Sequence, residues 1–408
     1  MKVPGHEDVH LTYCLNVHPG ETFEQVESAV FDRARAVFAH VAETTGHPGP
    51  FGLGMWLSAV AAESLREPLA RRRFAERLRE AGLYVFTLNG FPYGCFHGER
   101  VKENVYRPDW SDPRRRDYTL LLADILADLL PDGVVGTIST LPVTYRPWAD
   151  EHRVDASVRA LAEVALYLAA LRAKTGVDLC LALEPEPDCY LDETDTVVEF
   201  FRRLMGGGAA HLVEHAGLSP GEAADVLRRH LGVCLDAIHC AVLFEDPRVS
   251  IRRLSEAGIG VAKMHLGAAL VAEGEDGPPE SLRPFQDDVY LHQVRVGGAD
   301  GPVRFADLPE AFSAGGGVAG PWRVHYHVPL CWEGSGGVGS TREAVSRECL
   351  ATALAAGVRH FEVETYTLDV FPGAAGPVEQ VLADDVVWAL ARLSAGAGTA
   401  EPSSSTGC

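Results

Sequence analysis

The feature that most limits what this chain can fold into is an alternation. Short β-prone runs are separated by longer stretches with helical periodicity, from residue 11 almost to the end. Alternation of this kind builds βαβ units, and these build a parallel sheet. The β-prone runs are LTYCLNV (11–17), FGLGMWLS (51–58), LYVFTLN (83–89), VVGTIST (134–140), LCLALE (179–184), GVCLD (232–236), VAKMHL (261–266), RVHYHV (323–328) and HFEVET (360–365). Between them, Phe74 to Glu80, Leu120 to Leu130, Val158 to Leu171 and Val378 to Leu393 carry apolar residues at helical spacing and fit an outer ring of helices. The expected architecture is α/β, a (β/α)8 TIM barrel. A closed barrel takes eight strands and nine runs are present, so one run lies outside it or is a loop. The sequence leaves open which.

At 408 residues the chain suits a single barrel domain over 1–394. Two stretches interrupt the pattern: Gly90 to Asp112, rich in aromatics, Gly and Pro, and Ala268 to Gly301, rich in acidic residues and Gly. Both are expected to be long loops of the kind that form lids, binding loops or disordered insertions. Residues 395–408 (AGAGTAEPSSSTGC) hold too few apolar groups to pack and are expected to be a disordered tail. With 47% hydrophobic and 23% charged residues the composition is globular. A formal charge of -21 opposes a polyanionic partner, so nucleic acid is not an expected ligand. The nine cysteines include no CxxC pair and MKVPGHEDVH lacks the apolar stretch of a signal peptide, which points to a reduced, cytoplasmic protein. No apolar run approaches the roughly 20 residues that span a bilayer, so no transmembrane segment is expected.

Four β-prone runs end in a group able to bind a cation, and in a parallel barrel strand ends far apart in sequence meet on one face. LCLALE ends at Glu184, where Pro185 and Pro187 stop strand pairing; GVCLD ends at Asp236; VAKMHL carries His265; HFEVET carries Glu364. Carboxylate oxygen and imidazole nitrogen suit Mg, Mn, Co or Zn. Plainer readings exist: Glu184 as a solvated loop carboxylate, Asp236 as a helix N-cap, His265 as a hydrogen-bonded strand end. Glu186 lies beyond its strand end and is the weaker candidate. His239, three residues after Asp236, can share a face with it. Period-two alternation puts His325 and His327 on one side of RVHYHV, facing substrate, metal or a water-satisfied interior. The same parity puts Glu362 beside Glu364, and two buried carboxylates so placed need a partner or a cation. Phe91, Tyr93, Phe96, His97, Arg100 and Lys102 mix aromatic and basic groups after LYVFTLN, and this loop is expected to cover a substrate.

LALEPEP, VCLDAIH, VAKMHL and EVET resemble the xylose-isomerase-like TIM barrels of the AP-endonuclease-2 superfamily. There a Glu, an Asp, a His and a second Glu at successive strand ends bind one divalent metal. The resemblance implies that role for Glu184, Asp236, His265 and Glu364. LTYCLNVHPGE, TLNGFPYGCFHGERVKENVYRPDW, GTISTLP, HYHVPL and HFEVETYT resemble the EboE family of metabolite-traffic clusters over nearly the whole chain. That likeness implies handling of a small polar metabolite, sugar- or cyclitol-like. Superfamily members that cut DNA at abasic sites use three metals, with extra His ligands at the third and fourth strand ends. Here those ends are Asn89 and Thr140, so a trinuclear zinc centre is not expected.

The expected function is a metal-dependent isomerase or epimerase of a sugar or cyclitol in an ebo-type secondary-metabolite pathway, with one divalent ion as cofactor. In such chemistry a carbonyl is polarised by the cation while carboxylates move a proton. Glu184 and Glu364 are the acid/base pair, His239 and His327 assist, and Asn89, Tyr93, His97 and His325 contact substrate. A metabolite carrier that binds without turnover is the alternative on the same fold, and metal-assisted hydrolysis is a third reading. An oligomer is compatible with all three.

Overall fold

The aliphatic and β-branched runs become strands buried on both faces, as a parallel sheet inside a helical ring requires. The computed structural model describes residues 1–98, 100–275, 277–299, 301–314, 319–372 and 376–394. In chain order its strands are β1 (Lys2–Val3), β2 (His6–Tyr13), β3 (Phe51–Trp56), β4 (Leu83–Asn89), β5 (Gly136–Thr140), β6 (Leu179–Leu183), β7 (Leu231–Asp236), β8 (Val261–Leu266), β9 (Ala268–Gly274), β10 (Val294–Val296), β11 (Val303–Phe305), β12 (Gly320–Val328), β13 (Gly339–Ser340) and β14 (His360–Val363). Parallel pairing runs in the order β2-β14-β8-β7-β6-β5-β4-β3. A parallel bridge between Cys14 and Gly54 brings β2 against β3 and closes the ring. The fold is therefore the expected TIM barrel.

Helices begin where the sequence supplies caps. Asp112 accepts from the Arg114 amide ahead of Pro113–Leu129, and Asp150 from Arg153 ahead of Glu151–Thr175. Ser219 and Glu222 form a capping box ahead of Pro220–His230. Gly176, at φ 78°, ends Glu151–Thr175 in the left-handed conformation that glycine adopts freely.

RVHYHV is the run outside the barrel. It lies in β12, the middle of a second, antiparallel sheet ordered β11-β10-β12-β9-β13. This corrects the reading of Ala268 to Gly301 as a loop, because the stretch supplies β9 and β10. β9 pairs with β12 from Gly274↔Gly320 to Ala268↔Val328, and β10 from Val294↔Val324 to Val296↔Trp322. These partners arrive much later in the chain, so no local pattern announces the pairing. β8 passes into β9 through Gly267 alone, where a Cβ would lie 2.4 Å from Ile238 Cδ1 and 2.9 Å from the Glu364 carbonyl oxygen. The second sheet thus springs from the barrel end that carries the candidate ligands. Among the described residues, Gly90 to Asp112 is irregular apart from a 3-10 turn at Lys102–Tyr106. The expected tail at 395–408 lies outside the described residues. Among the described residues, no helix is long and apolar enough to cross a membrane.

Candidate metal centre

Glu184 follows β6, Asp236 ends β7, His265 lies in β8 and Glu364 follows β14. All four are buried, and each offers a ligand atom within 4.8 Å of the others. His265 is the hub. Its Nδ1 lies 3.1 Å from Glu184 Oε1, 3.1 Å from Glu364 Oε2 and 3.8 Å from Asp236 Oδ2. Asp236 takes the helix-cap place of its plainer reading: Oδ1 accepts from the Ile238 (2.5 Å) and His239 (3.3 Å) amides and caps Ala237–Val242, while Oδ2 stays clear of the cap. Glu364 Oε1 accepts from Asn16 Nδ2 (2.8 Å) and Asn89 Nδ2 (3.2 Å), which leaves Oε2 facing the cluster.

Glu184 Oε2 and Asp236 Oδ2 are buried with no hydrogen-bond partner among the described residues. An orphaned buried acceptor costs about 1–3 kcal/mol, and more when charged. Here two such oxygens share one pocket with a third carboxylate. A divalent cation satisfies both and offsets the converging charge, so the donor set fits a hard or borderline metal. Burial pushes the Asp236 carboxyl up to about 6, with His239 opposing it. Cys234 is within reach of Glu184 and His265, but burial pushes its thiol up to about 12 and keeps it protonated at neutral pH.

Beside this cluster stands a second donor set. His239, His325 and His327 bring their ring nitrogens within 4.8 Å of one another. His239 Nε2 lies 3.2 Å from His325 Nε2, which lies 3.0 Å from His327 Nε2. The outer nitrogens face acceptors: His239 Nδ1 the Pro185 carbonyl (2.7 Å), His325 Nδ1 Gln293 Oε1 (2.7 Å), His327 Nδ1 the Glu364 carbonyl (3.2 Å). Gln293 Nε2 donates to the Tyr106 hydroxyl and the Pro187 carbonyl, which fixes its oxygen toward His325. These partners assign a proton to Nδ1 in all three rings; despite burial, the nearby Asp236 and Glu186 carboxylates raise His239, and in its charged form it also donates from Nε2 to His325 Nε2. Burial lowers His325 well below the usual imidazole range and His327 to about 3, so both are neutral at pH 7. The Nε2 atoms turned toward one another can exchange protons with ligand hydroxyls or, with all three unprotonated, hold a second cation.

A cavity of about 50 Å³ is lined by Glu184, Glu364, His239, His325 and His327 together with Phe91, Phe96, Tyr106, Tyr290 and Tyr366, while Asp236 and His265 lie behind this lining. The loop expected to cover a substrate does border it, through Phe91, Phe96 and Lys102 among others. Lys102 clasps the loop to the second-sheet segment, with Nζ donating to the Asp287 carbonyl (3.0 Å), the Tyr290 carbonyl (2.6 Å) and Asp307 Oδ2 (2.7 Å). Asn89 lines the cavity, but its amide is engaged by Glu364 and so orients a candidate ligand. Tyr93 and His97 are not in the lining, contrary to their expected place. The Tyr93 ring packs on Tyr118 at 5.1 Å, and His97 meets Glu21 Oε1 at 3.0 Å and the Trp56 ring at 5.6 Å. Both anchor the base of the loop instead.

Glu186, set aside because it lies past its strand end, does line the cavity. The turn from the Glu186 carbonyl to the Cys189 amide (3.0 Å) bends the segment back over the barrel mouth. Its Oε1 accepts from the Tyr106 hydroxyl at 2.8 Å, and burial pushes its carboxyl up to about 8. The PEP sequence offers no periodicity that shows such a return.

No protein-family model matches the chain, and no curated protein does. Solved structures do. A xylose isomerase-like TIM barrel protein from Mycobacterium smegmatis, solved in complex with magnesium, aligns at TM-score 0.52 and 12% identity over 96% of this chain and 98% of that one. The IOLI protein with a bound zinc atom aligns at 0.47 and 11% identity, covering 96% and 100%. A xylose isomerase domain protein from Planctomyces limnophilus aligns at 0.45 and 14% identity, covering 95% and 98%. The first likeness shows the fold, a TIM barrel.

Proposed function

We propose that this protein is a divalent-metal-dependent isomerase or epimerase acting on a small polyhydroxylated carbonyl compound of sugar or cyclitol type. The observation that carries the reading is the convergence of Glu184, Asp236, His265 and Glu364, two of their oxygens orphaned, with Glu184 and Glu364 opening onto a cavity lined by aromatic rings and imidazoles. Those four side chains would hold the cation, and Mg, Mn, Co and Zn all suit them. A bound divalent cation supplies Lewis acidity at a substrate carbonyl and lowers the cost of removing the neighbouring proton.

The chain's own groups do the rest. Glu184 and Glu364 take the proton from carbon and return it, each through Oε2, since Glu364 Oε1 is held by Asn16 and Asn89 and Glu184 Oε1 faces His265. Glu186, held by Tyr106, faces the substrate oxygens. His239, His325 and His327 exchange protons with ligand hydroxyls through Nε2, a pattern suited to a polyol. Phe91, Phe96 and Tyr366 cover the apolar face of a ring and exclude water. The EboE-like motifs support placing this activity in a metabolite-traffic cluster.

The test is solvent-deuterium incorporation into a panel of sugars and cyclitols with Mn present. The reading expects exchange at the carbon next to the carbonyl, lost in Glu184→Gln and Glu364→Gln while most metal binding survives. Saturable binding without exchange would instead identify a carrier. The short Nε2 distances favour one second reading, metal-assisted hydrolysis with a further cation on the three imidazoles. Irreversible product release without exchange, with two metals per chain, would select it.

A further inference from the structure

One layer closer to the N-terminal ends of the strands, the barrel interior holds a charged couple that the proposed chemistry leaves unused. Lys263 precedes His265 by two residues on β8, and Glu362 precedes Glu364 by two at β14, so strand alternation turns all four the same way. Barrel interiors are ordinarily filled by branched aliphatic side chains. Here Lys263 and Glu362 are fully buried and form an ion pair. Lys263 Nζ also donates to Thr87 Oγ1 at 2.9 Å, and Thr137 Oγ1 donates to Thr87 Oγ1 at 2.8 Å. Glu362 Oε2 lies 3.1 Å from His265 Nε2. The carboxylate sits in a cradle on β3, where a Cβ at Gly54 would fall 1.7 Å from Glu362 Oε1.

A buried ion pair is a weak source of stability, because desolvation offsets most of the attraction. Its position suggests a different use. An imidazole binds a cation through one unprotonated nitrogen, and the hydrogen bond made by the other nitrogen decides which. An ionised carboxylate only accepts, so Glu362 gives a proton on His265 Nε2 its acceptor. Nδ1 meets Glu184 Oε1 and Glu364 Oε2, also at 3.1 Å, and a cation held between those carboxylates would displace the proton from Nδ1 and leave the one that Glu362 holds on Nε2. Lys263 fixes the carboxylate and cancels its charge, which would otherwise burden the layer below the centre.

We propose that Glu362, held by Lys263 and cradled by Gly54, is a positioning residue that fixes the His265 ring so that Nδ1 is its metal-binding atom. This rests on the metal-centre reading above. Neither Lys263 nor Glu362 belongs to the cavity lining among the described residues.

The test uses the full chain, Co(II) and two double variants without an unpaired buried charge. Lys263→Met/Glu362→Gln keeps an acceptor oxygen opposite Nε2; Lys263→Met/Glu362→Leu removes it. The Leu variant is expected to bind Co(II) about 10- to 100-fold more weakly than the Gln variant, the range for lost outer partners of a ligating histidine. Its visible Co(II) spectrum should shift as the ring loosens. Equal affinity in the two variants, whether both match wild type or both fall, overturns the proposal. If the Leu variant fails to fold by circular dichroism, nitrogen-15 histidine spectra of the wild type decide. A proton on His265 Nε2 before and after Zn(II) addition supports the role, and Zn(II) on Nε2 overturns it. Wild-type protein that binds no Co(II) overturns the metal reading and this proposal with it, whereas a binding wild type with two equal variants overturns the positioning role alone.

Discussion

Asp236 puts its two oxygens to separate uses, and that division can be measured. Oδ1 caps a helix and Oδ2 points at the cluster. Asp236→Asn can keep the cap while replacing the free oxygen with an NH2 that cannot ligate a cation, so it should lose most metal affinity yet melt close to wild type in the presence of chelator. Asp236→Ala should lose the cap as well, about 1 kcal/mol, readable as a lower melting temperature in the same buffer. Gly54→Ala is the converse case. Its Cβ would collide with Glu362, so a cost of about 1–3 kcal/mol is expected, together with weaker metal binding through His265. Calorimetry and metal titration on that variant check both, and a wild-type melt would contradict the cradle. At this scale the sequence was most legible where strand ends converge by geometry, as for Glu184, Asp236, His265 and Glu364. Strand parity also placed Glu362 beneath Glu364. Glu186 and Gln293 escaped because they ride on segments without a repeating pattern.

Among elements, the barrel strands could be read because each carries its own hydrophobic signal, and eight of the nine runs proved to belong to it. β9 and β10 could not, since pairing with β12 is a long-range fact with no local trace. Their sheet holds β12, which brings His325 and His327 to the barrel mouth, and the misread stretch itself adds Tyr290 and Leu291 to the cavity lining. The stretch from Gly90 to Asp112 is held over the cavity by Lys102, which reaches Asp307 and two carbonyls. Lys102→Met should free it. Limited proteolysis is expected to cut the variant within this loop severalfold faster than wild type, while unchanged cutting would show that the clasp does not hold the loop.

For the molecule as a whole, pH offers a probe far from the metal centre. Asp385, in helix Val378–Leu393, is fully buried and accepts from the Cys331 amide at 2.9 Å. Burial raises its pKa from 3.8 to about 7. A carboxyl whose folded pKa is raised favours the fold below its unfolded pKa and loses that advantage as pH rises through the folded one. Wild type should therefore lose stability between about pH 4 and pH 7 on account of this group, and Asp385→Asn should not. Each pKa unit corresponds to about 1.4 kcal/mol, so the variant should gain a few kcal/mol on wild type at pH 8 relative to pH 4 in denaturant titrations. A constant difference across that window would contradict it.

The central claim is that four strand-end side chains form one divalent-metal site. Elemental analysis of the purified protein, beside Asp236→Ala and His265→Ala, tests it most directly. The account predicts about one equivalent of divalent metal per wild-type chain, retained through gel filtration and lost from both variants. Full metal content in both variants would contradict it.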